Sequence, residues 1–331
     1  MNHTEWNPGK LIELSGYYWK TCTLHAAVKL DVFSLIGEEQ RTGAEIAEKC
    51  SADEDAMTRL LNALCAMELL CKKEEKFANT PVSLSFLCKN SPAYTGYMIM
   101  HHHHLVESWS RLDEAVRTGK AVRRRAVHGD AETRESFLMG MFNMAMNLAP
   151  RLVQTIDLSG RQHLLDMGGG PGTYAIHFCL ANPRLRATVF DLSTTEPFAR
   201  NTIAKFGLSE RIDFMPGNYL EDEIQGKYDA VWLSHILHGE GPDACRMMVR
   251  KAADALEPGG RIFIHEFILR NSADGPLFPA LFSINMLLGT SGGRAYTEGQ
   301  LTEMLEEAGI KDIHRIPAQT PNDSGILAGR K

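Results

Sequence analysis

His163-Leu-Leu-Asp-Met-Gly-Gly-Gly-Pro-Gly-Thr173 is the stretch whose reading decides the fold of this 331-residue chain. Leu164 and Leu165 form a short apolar run that ends in an acid, Asp166. Met167, Gly168, Gly169 and Gly170 follow, then Gly172 after Pro171. Tyr174-Ala-Ile-His-Phe-Cys-Leu180 continues with helical character. Strand, glycine turn and helix in that order are the layout of a nucleotide-type site in an α/β fold. Without a Cβ the backbone turns tightly and approaches a ligand closely. The dinucleotide fingerprint G-x-G-x-x-G would place glycine at 173, where this chain has Thr173. That departure weakens a nicotinamide-dinucleotide reading and leaves it as an alternative.

Outward from this turn, strands and helices alternate, which predicts a mostly parallel sheet. Strands are expected at 163–166, 186–191, 211–215, 228–234, 261–268, 311–316 and 324–329. Helices are expected at about 172–181, 195–206, 241–256 and 297–308. Asp191 ends the second strand, where an acid can accept hydrogen bonds from both hydroxyls of a ribose. The bland alternative is a helix cap ahead of Ser193 and Thr194. Met215-Pro-Gly-Asn-Tyr-Leu220 and Trp232-Leu-Ser-His-Ile-Leu-His-Gly-Glu-Gly241 follow the third and fourth strands. Carboxyl ends of strands are where open α/β sheets bind ligands.

The first hundred residues read as helical. Leu11, Leu14 and Tyr18 recur at helical spacing, and Thr42 with Glu45 makes a capping box. Ser51-Ala-Asp-Glu54 is expected to repeat that device. Leu69 to Phe77 reads as strand, charged turn and strand, so two short helices and a hairpin give a winged-helix pattern. The helix that would enter a DNA groove starts Asp53-Glu54-Asp55 and would repel phosphate. Residues 91–157 read as a helical connector. Its four consecutive histidines, His101 to His104, point to different faces of a helix and converge poorly on a metal. Phe137, Met141, Met144, Ala145, Leu148 and Leu152 make one apolar face. Arg123-Arg-Arg125 reads as a solvated loop rather than a nucleic-acid patch.

Asp166, the glycines and Asp191 together resemble the first motifs of class I methyltransferases, which bind S-adenosylmethionine (SAM). With the helical N-terminal half, the chain is similar over nearly its whole length to the plant-type, or acetylserotonin-type, small-molecule O-methyltransferases. The fold this implies is α/β: a C-terminal Rossmann-like SAM domain behind an N-terminal, mainly helical winged-helix dimerisation domain. The expected boundaries are 1–100, a connector at 101–157, and 158–331. The resemblance implies SAM contacts at Asp166, Gly168, Gly170, Asp191, Leu192, Gly217, Asn218, Tyr219 and Ser234. Asn218 stands where the family has Asp, and its carbonyl can still accept from the adenine amino group. The family's catalytic histidine matches His238, and its first supporting carboxylate matches Glu266. Gly239 replaces the acid after the histidine, and Ala295 occupies the second carboxylate's place. Matching to the family's substrate helices puts Trp109, Phe142, Met144, Met146, Phe282, Asn285 and Met286 around the acceptor, with His235 beside them.

The residue types suit that chemistry. A sulfonium methyl is already an activated electrophile, so no metal is expected and the task is mainly positioning. A neutral imidazole can take the acceptor's proton, and a carboxylate on its far nitrogen fixes the tautomer. The expected function is O-methylation of a small aromatic or polyketide-like hydroxyl. Methylation at carbon or nitrogen, a non-methylating use of SAM, and a winged-helix transcription factor with a SAM-type sensing domain are the rivals.

Composition adds limits. Net charge is −6. Residues 1–150 hold 17 Lys+Arg against 19 Asp+Glu, and the rest 18 against 22, so neither half is built to grip a phosphate backbone. There is no apolar run near 18 residues and no secretion signal at the start. Seven scattered cysteines without a C-x-x-C read as reduced thiols in a cytoplasmic protein. The expected partners are a small acceptor and a second copy of the chain, with no nucleic acid and no membrane.

Overall fold

A computed structural model describes residues 5–125, 130–318 and 320–331. The chain divides into two compact units, residues 1–107 with 126–143 and residues 108–125 with 144–331. The segment read as a connector is therefore shared between the units, and its positions 126–129 lie outside the described residues.

The first unit opens with α1 (Pro8–Gly16), α2 (Tyr18–Lys29) and α3 (Val32–Ile36), followed by β1 (Arg41–Thr42), α4 (Gly43–Cys50) and α5 (Glu54–Ala66). Thr42 and Glu45 close the expected capping box on α4. The second expected box fails. Ser51 is the left-handed C-cap of α4, and Asp53 caps α5 by accepting from Ala56 N at 2.8 Å. Aspartate caps as well as serine does, and the residue nearer the helix takes the role. The hairpin β2 (Leu70–Lys73) and β3 (Lys76–Asn79) adds to β1 in a three-stranded sheet of order β1-β3-β2. Then come α6 (Pro81–Phe86) and α7 (Gly96–Trp109), which runs across the expected boundary at 100. Val32, Phe33, Ile36, Ile46, Leu61, Leu64 and Phe77 fill this unit's core. Leu11, Ile12, Tyr18 and Trp19 on α1 and α2 stay exposed.

After α8 (Leu112–Thr118), α9 (Ala131–Leu152) leads into β4 (His163–Met167), α10 (Thr173–Ala181), β5 (Arg186–Asp191), α11 (Glu196–Lys205), β6 (Ile212–Pro216) and β7 (Tyr228–Ser234). The chain ends with α12 (Pro242–Ala255), β8 (Leu256–Phe267), α13 (Leu277–Gly289), α14 (Glu298–Glu307), β9 (Lys311–Ile316) and β10 (Ser324–Arg330). The seven-stranded sheet runs β6-β5-β4-β7-β8-β10-β9. β4 to β8 are parallel, and β10 is antiparallel to both its neighbours. Two apolar cores cover its faces. One centres on Trp232 and Phe178, the other on Leu165, Val231 and Met248. The order reverses at β4, so the loops after β4 and β7 flank the crevice where such sheets take ligands. Among the described residues no helix is long and apolar enough to cross a membrane.

Candidate active site

The glycine turn leaves β4 with Gly168 at φ +68° and Gly170 at φ +53°, backbone that side chains rarely adopt. A Cβ on Gly168 would lie 2.5 Å from Ile236 Cγ2. Gly170 N donates to Asp191 Oδ2 at 2.8 Å, and Leu192 N donates to Asp191 Oδ1 at 2.7 Å. Asp191 thus fastens β5 to the turn; its Oδ1 also accepts from Thr195 Oγ1 at 3.2 Å and is filled, while Oδ2 keeps a lone pair for a ligand. Burial raises its pKa against those bonds. Asp166 is fully buried. Its Oδ2 accepts from Ala175 N at 3.1 Å, and its Oδ1 has no partner among the described residues. Burial, with Asp191 nearby, pushes Asp166 up to about 7. Two carboxyls in one dry crevice repel, and a cationic ligand relieves both.

At the end of β6, Gly217 N donates to Asp191 O at 2.9 Å. Asn218 Oδ1 accepts from Leu220 N at 3.0 Å, and Asn218 N donates to Asp222 Oδ2 at 2.7 Å. Tyr219 beside it is half-buried, and burial pushes its phenol up to about 12.

His238 stands on a short 3₁₀ turn, Leu237–Gly239, just past β7. Its Nδ1 lies 2.8 Å from Oε2 of Glu266 on β8, and its backbone N donates to Oε1 at 3.2 Å. Both bonds fix the ring and leave Nε2 for a substrate. Burial pushes the Glu266 carboxyl up, but the nearby charge and hydrogen bond of His238, with His235 close by, outweigh it and hold it well below the usual range. His235, at φ +55°, brings its own Nδ1 to 3.6 Å from Glu266 Oε2. Aromatic rings complete the wall. Phe282 on α13 meets the His238 ring edge-on at 4.8 Å, and Phe267 lies 4.6 Å from Phe282 and 4.4 Å from His235.

Residues 109–311 match the O-methyltransferase domain family, and residues 12–89 match the O-methyltransferase dimerisation domain. The chain belongs to this O-methyltransferase family. It is 32% identical to 3-hydroxy-5-methyl-1-naphthoate 3-O-methyltransferase of Streptomyces sahachiroi, over 98% of this chain and 95% of the relative. It is 29% identical to the tetracenomycin polyketide synthesis 8-O-methyl transferase TcmO of Streptomyces glaucescens, over 98% and 97%. Human N-acetylserotonin methyltransferase, solved in complex with SAM, shares the fold with a TM-score of 0.84 and 24% identity, covering 100% of this chain and 99% of that one. The chain is therefore a methyltransferase. The buried Asp166 Oδ1, without a partner among the described residues, and the open cradle at Gly170 fit a cationic ligand such as the SAM bound by that human enzyme.

Against the family pattern, several residues take other parts. Ser234 turns its hydroxyl to His265 Nδ1 at 3.0 Å, and His265 Nε2 reaches Ser324 Oγ at 3.1 Å. Asn218 Oδ1 is engaged in its own turn, which leaves one lone pair for an adenine amino group. The family's acid after the histidine is Gly239, whose carbonyl is instead gripped by Arg125, with Arg125 Nη1 on Glu240 Oε1 at 2.8 Å. Ala295 is buried and its N donates to Ser283 Oγ at 3.2 Å. His238, Glu266, His235 and Phe282 come together as the motifs require, and Asn285 and Met286 lie one turn along α13. Trp109 ends α7 half-buried, Met146 is half-buried on α9, and Met144 is 38% exposed. Phe142 belongs to the other unit. Phe267 and Phe278 were absent from the expected set, although Phe267 adjoins Glu266 and Phe278 precedes Phe282 by one helical turn. Arg123 and Arg125 are not a solvated loop, since both guanidiniums bind protein carbonyls. His235, His238 and Glu266 are also the one set of three metal-capable side chains found among the described residues, with one ligand atom from each within 4.8 Å of the others.

Proposed function

We propose that this methyltransferase acts on a hydroxyl of a small aromatic acceptor, with His238 as general base and Glu266 as the group that orients it. The 2.8 Å contact between His238 Nδ1 and Glu266 Oε2 carries the reading. The acceptor oxygen attacks the sulfonium methyl, the carbon–sulfur bond breaks with its electron pair going to sulfur, and the hydroxyl proton passes to His238 Nε2. S-adenosylhomocysteine and the methyl ether leave. SAM would be the methyl donor, held by Gly168, Gly170 and Asp191, with Asp191 accepting from its ribose. The aromatic wall of Phe267, Phe278 and Phe282 suits a flat ring, and the two relatives named above act on a naphthoate and on a polyketide by their names.

The protein acts as a homodimer. A dimerisation domain and the exposed Leu11, Ile12, Tyr18 and Trp19 support that. The acidic start of α5, with Asp53, Glu54 and Asp55, speaks against a DNA-reading role for the helix–helix–hairpin unit. Free cysteines throughout support a reducing, cytoplasmic setting. The test is methyl transfer from labelled SAM to a panel of phenols and hydroxynaphthoates, with the product's ether confirmed by mass spectrometry. SAM binding without transfer to any hydroxyl would remove the reading. In calorimetry Asp191→Ala should weaken SAM by about 1.5–3 kcal/mol, the scale of a lost charge-assisted hydrogen bond.

A further inference from the structure

Beside the His238 turn lies a cationic cavity that methyl transfer itself does not need. It has a volume of about 360 Å³, and Lys120, Arg123, Arg125, Gly289 and Thr290 are among its lining residues. Arg123 is half-buried. Its Nη2 donates to Asn285 O at 3.3 Å and to Asn285 Oδ1 at 3.1 Å. Its Nε is buried with no acceptor among the described residues. Room for this guanidinium comes from Gly289, where a Cβ would fall 2.5 Å from Arg123 Cζ. Arg125 already has a counter-ion in Glu240. Three cations thus face the cavity against that one acid.

A half-buried guanidinium without a carboxylate is costly, and its planar fork matches a carboxylate in two parallel hydrogen bonds. Two links tie the cavity's arginines to the surroundings of His238. Arg125 holds the carbonyl of Gly239, the residue next to His238. Arg123 holds Asn285, three residues along α13 from Phe282, whose ring meets the His238 imidazole. Positions three apart on a helix share a face.

We infer that the acceptor is an aromatic hydroxy acid whose carboxylate enters this cavity and meets the charges of Lys120 and Arg123, while its hydroxyl faces His238. This rests on the O-methylation reading and narrows its substrate class. The cavity then acts by binding, so the carboxylate should lower KM more than it raises kcat.

The experiment compares a hydroxynaphthoate with its methyl ester, which keeps the hydroxyl and loses the charge, at saturating SAM. Wild-type kcat/KM should favour the acid by about tenfold or more, the scale of hydrogen bonds to a charged group. In Arg123→Gln the acid-to-ester ratio should approach one, chiefly through a higher KM for the acid, and Arg123→Lys should recover part of it. Equal kcat/KM for acid and ester in the wild type, which needs no variant, would overturn the inference. So would a ratio that Arg123→Gln leaves intact. A second arm needs no turnover. A naphthoate without a hydroxyl is titrated into the enzyme loaded with S-adenosylhomocysteine, beside inorganic phosphate. Naphthoate binding that Arg123→Gln weakens supports the carboxylate site even where no phenol is methylated, and the failure then belongs to the O-methylation reading alone. Phosphate binding without naphthoate binding marks a free-anion site and overturns the inference.

Discussion

Each unit of this chain holds a group of histidines, and burial treats the two groups differently: in the C-terminal group a buried carboxylate touches a histidine ring directly, while His25 is set among other imidazoles. In the N-terminal unit His25 is 3% exposed, and its ring meets His103 edge-on at 5.6 Å. Among the described residues His25 Nδ1 has no partner, Lys29 Nζ lies 3.4 Å from His103 Nε2, and Glu132 acts on His103 as a nearby charge. Burial first, then the charges of His103 and His102, lowers His25 to about 4. In the C-terminal unit Glu266 lies against His238 at 2.8 Å and can stabilise an imidazolium as soon as a proton arrives. A histidine becomes a base through its anionic partner rather than through its number or its burial. The four consecutive histidines attract the eye, yet on α7 they separate, with His101 against Phe137 at 5.2 Å and His103 against His25.

The largest test of that contrast is His238→Ala. Its kcat on a phenolic acceptor should fall by about 10²-fold or more, equivalent to about 2.7 kcal/mol, with little change in SAM affinity. A loss within about threefold would mean that positioning alone drives transfer and that the Glu266 partnership is structural.

The next effect belongs to the other group and concerns stability. Folded His25 takes its proton near pH 4, and the unfolded chain takes it near 6.5. Between those values the unfolded state binds more protons, so stability is complete above about pH 6.5 and falls as pH drops towards 4. About 2 kcal/mol should go, read as faster hydrogen exchange of α2 amides, and His25→Phe should flatten the profile. An α2 that exchanges identically at pH 7 and pH 5 would show that the cluster relaxes without cost.

What the sequence could show follows the same physics. The strands from 163 to 234 are legible because they are short apolar runs closed by polar residues or glycine, and β5 and β7 fall at 186–191 and 228–234 as expected. β8 begins at Leu256, five residues before the expected 261, since Glu257-Pro258-Gly259-Gly260 has turn composition and yet continues the strand. His238 and Glu266 were legible through their motifs. Arg123 was not, because a guanidinium's burial depends on a glycine 166 residues away at Gly289. The bond that Ser234 makes to His265 was not legible for a related reason. A hydroxyl at a strand end serves a ligand or a buried neighbour equally well, and His265 arrives only when β8 pairs with β7.

Glu266→Gln comes third. The amide keeps the shape and can still accept from Nδ1, but it cannot neutralise an imidazolium. The expected loss in kcat is about tenfold, or about 1.4 kcal/mol, smaller than for His238→Ala because the proton acceptor survives. A loss equal to that of His238→Ala would make the pair one indivisible unit.

The smallest effect tests whether a satisfied neutral histidine differs from an unsatisfied one. Burial lowers the His265 pKa strongly, as it lowers His25, but both His265 nitrogens are bonded. Ser324 Oγ donates to Pro321 O at 3.4 Å, so it accepts from His265 Nε2, and Ser234 therefore donates to Nδ1. Ser324→Ala would leave Nε2 without a partner and recreate in the C-terminal unit the condition of His25 Nδ1. The neutral ring can answer by moving its proton to Nδ1 and letting Ser234 accept, so the cost should stay near 1 kcal/mol, a fall of about 2–4 °C in the unfolding midpoint. Turnover should change by less than about threefold, because His265 touches His235 at 4.3 Å and makes no bond to His238. A midpoint equal to wild type would mean that burial alone sets the energetics of both groups. A collapse in kcat would place His265 and Ser324 on the proton's path and dissolve the distinction between a base and a core histidine within this site.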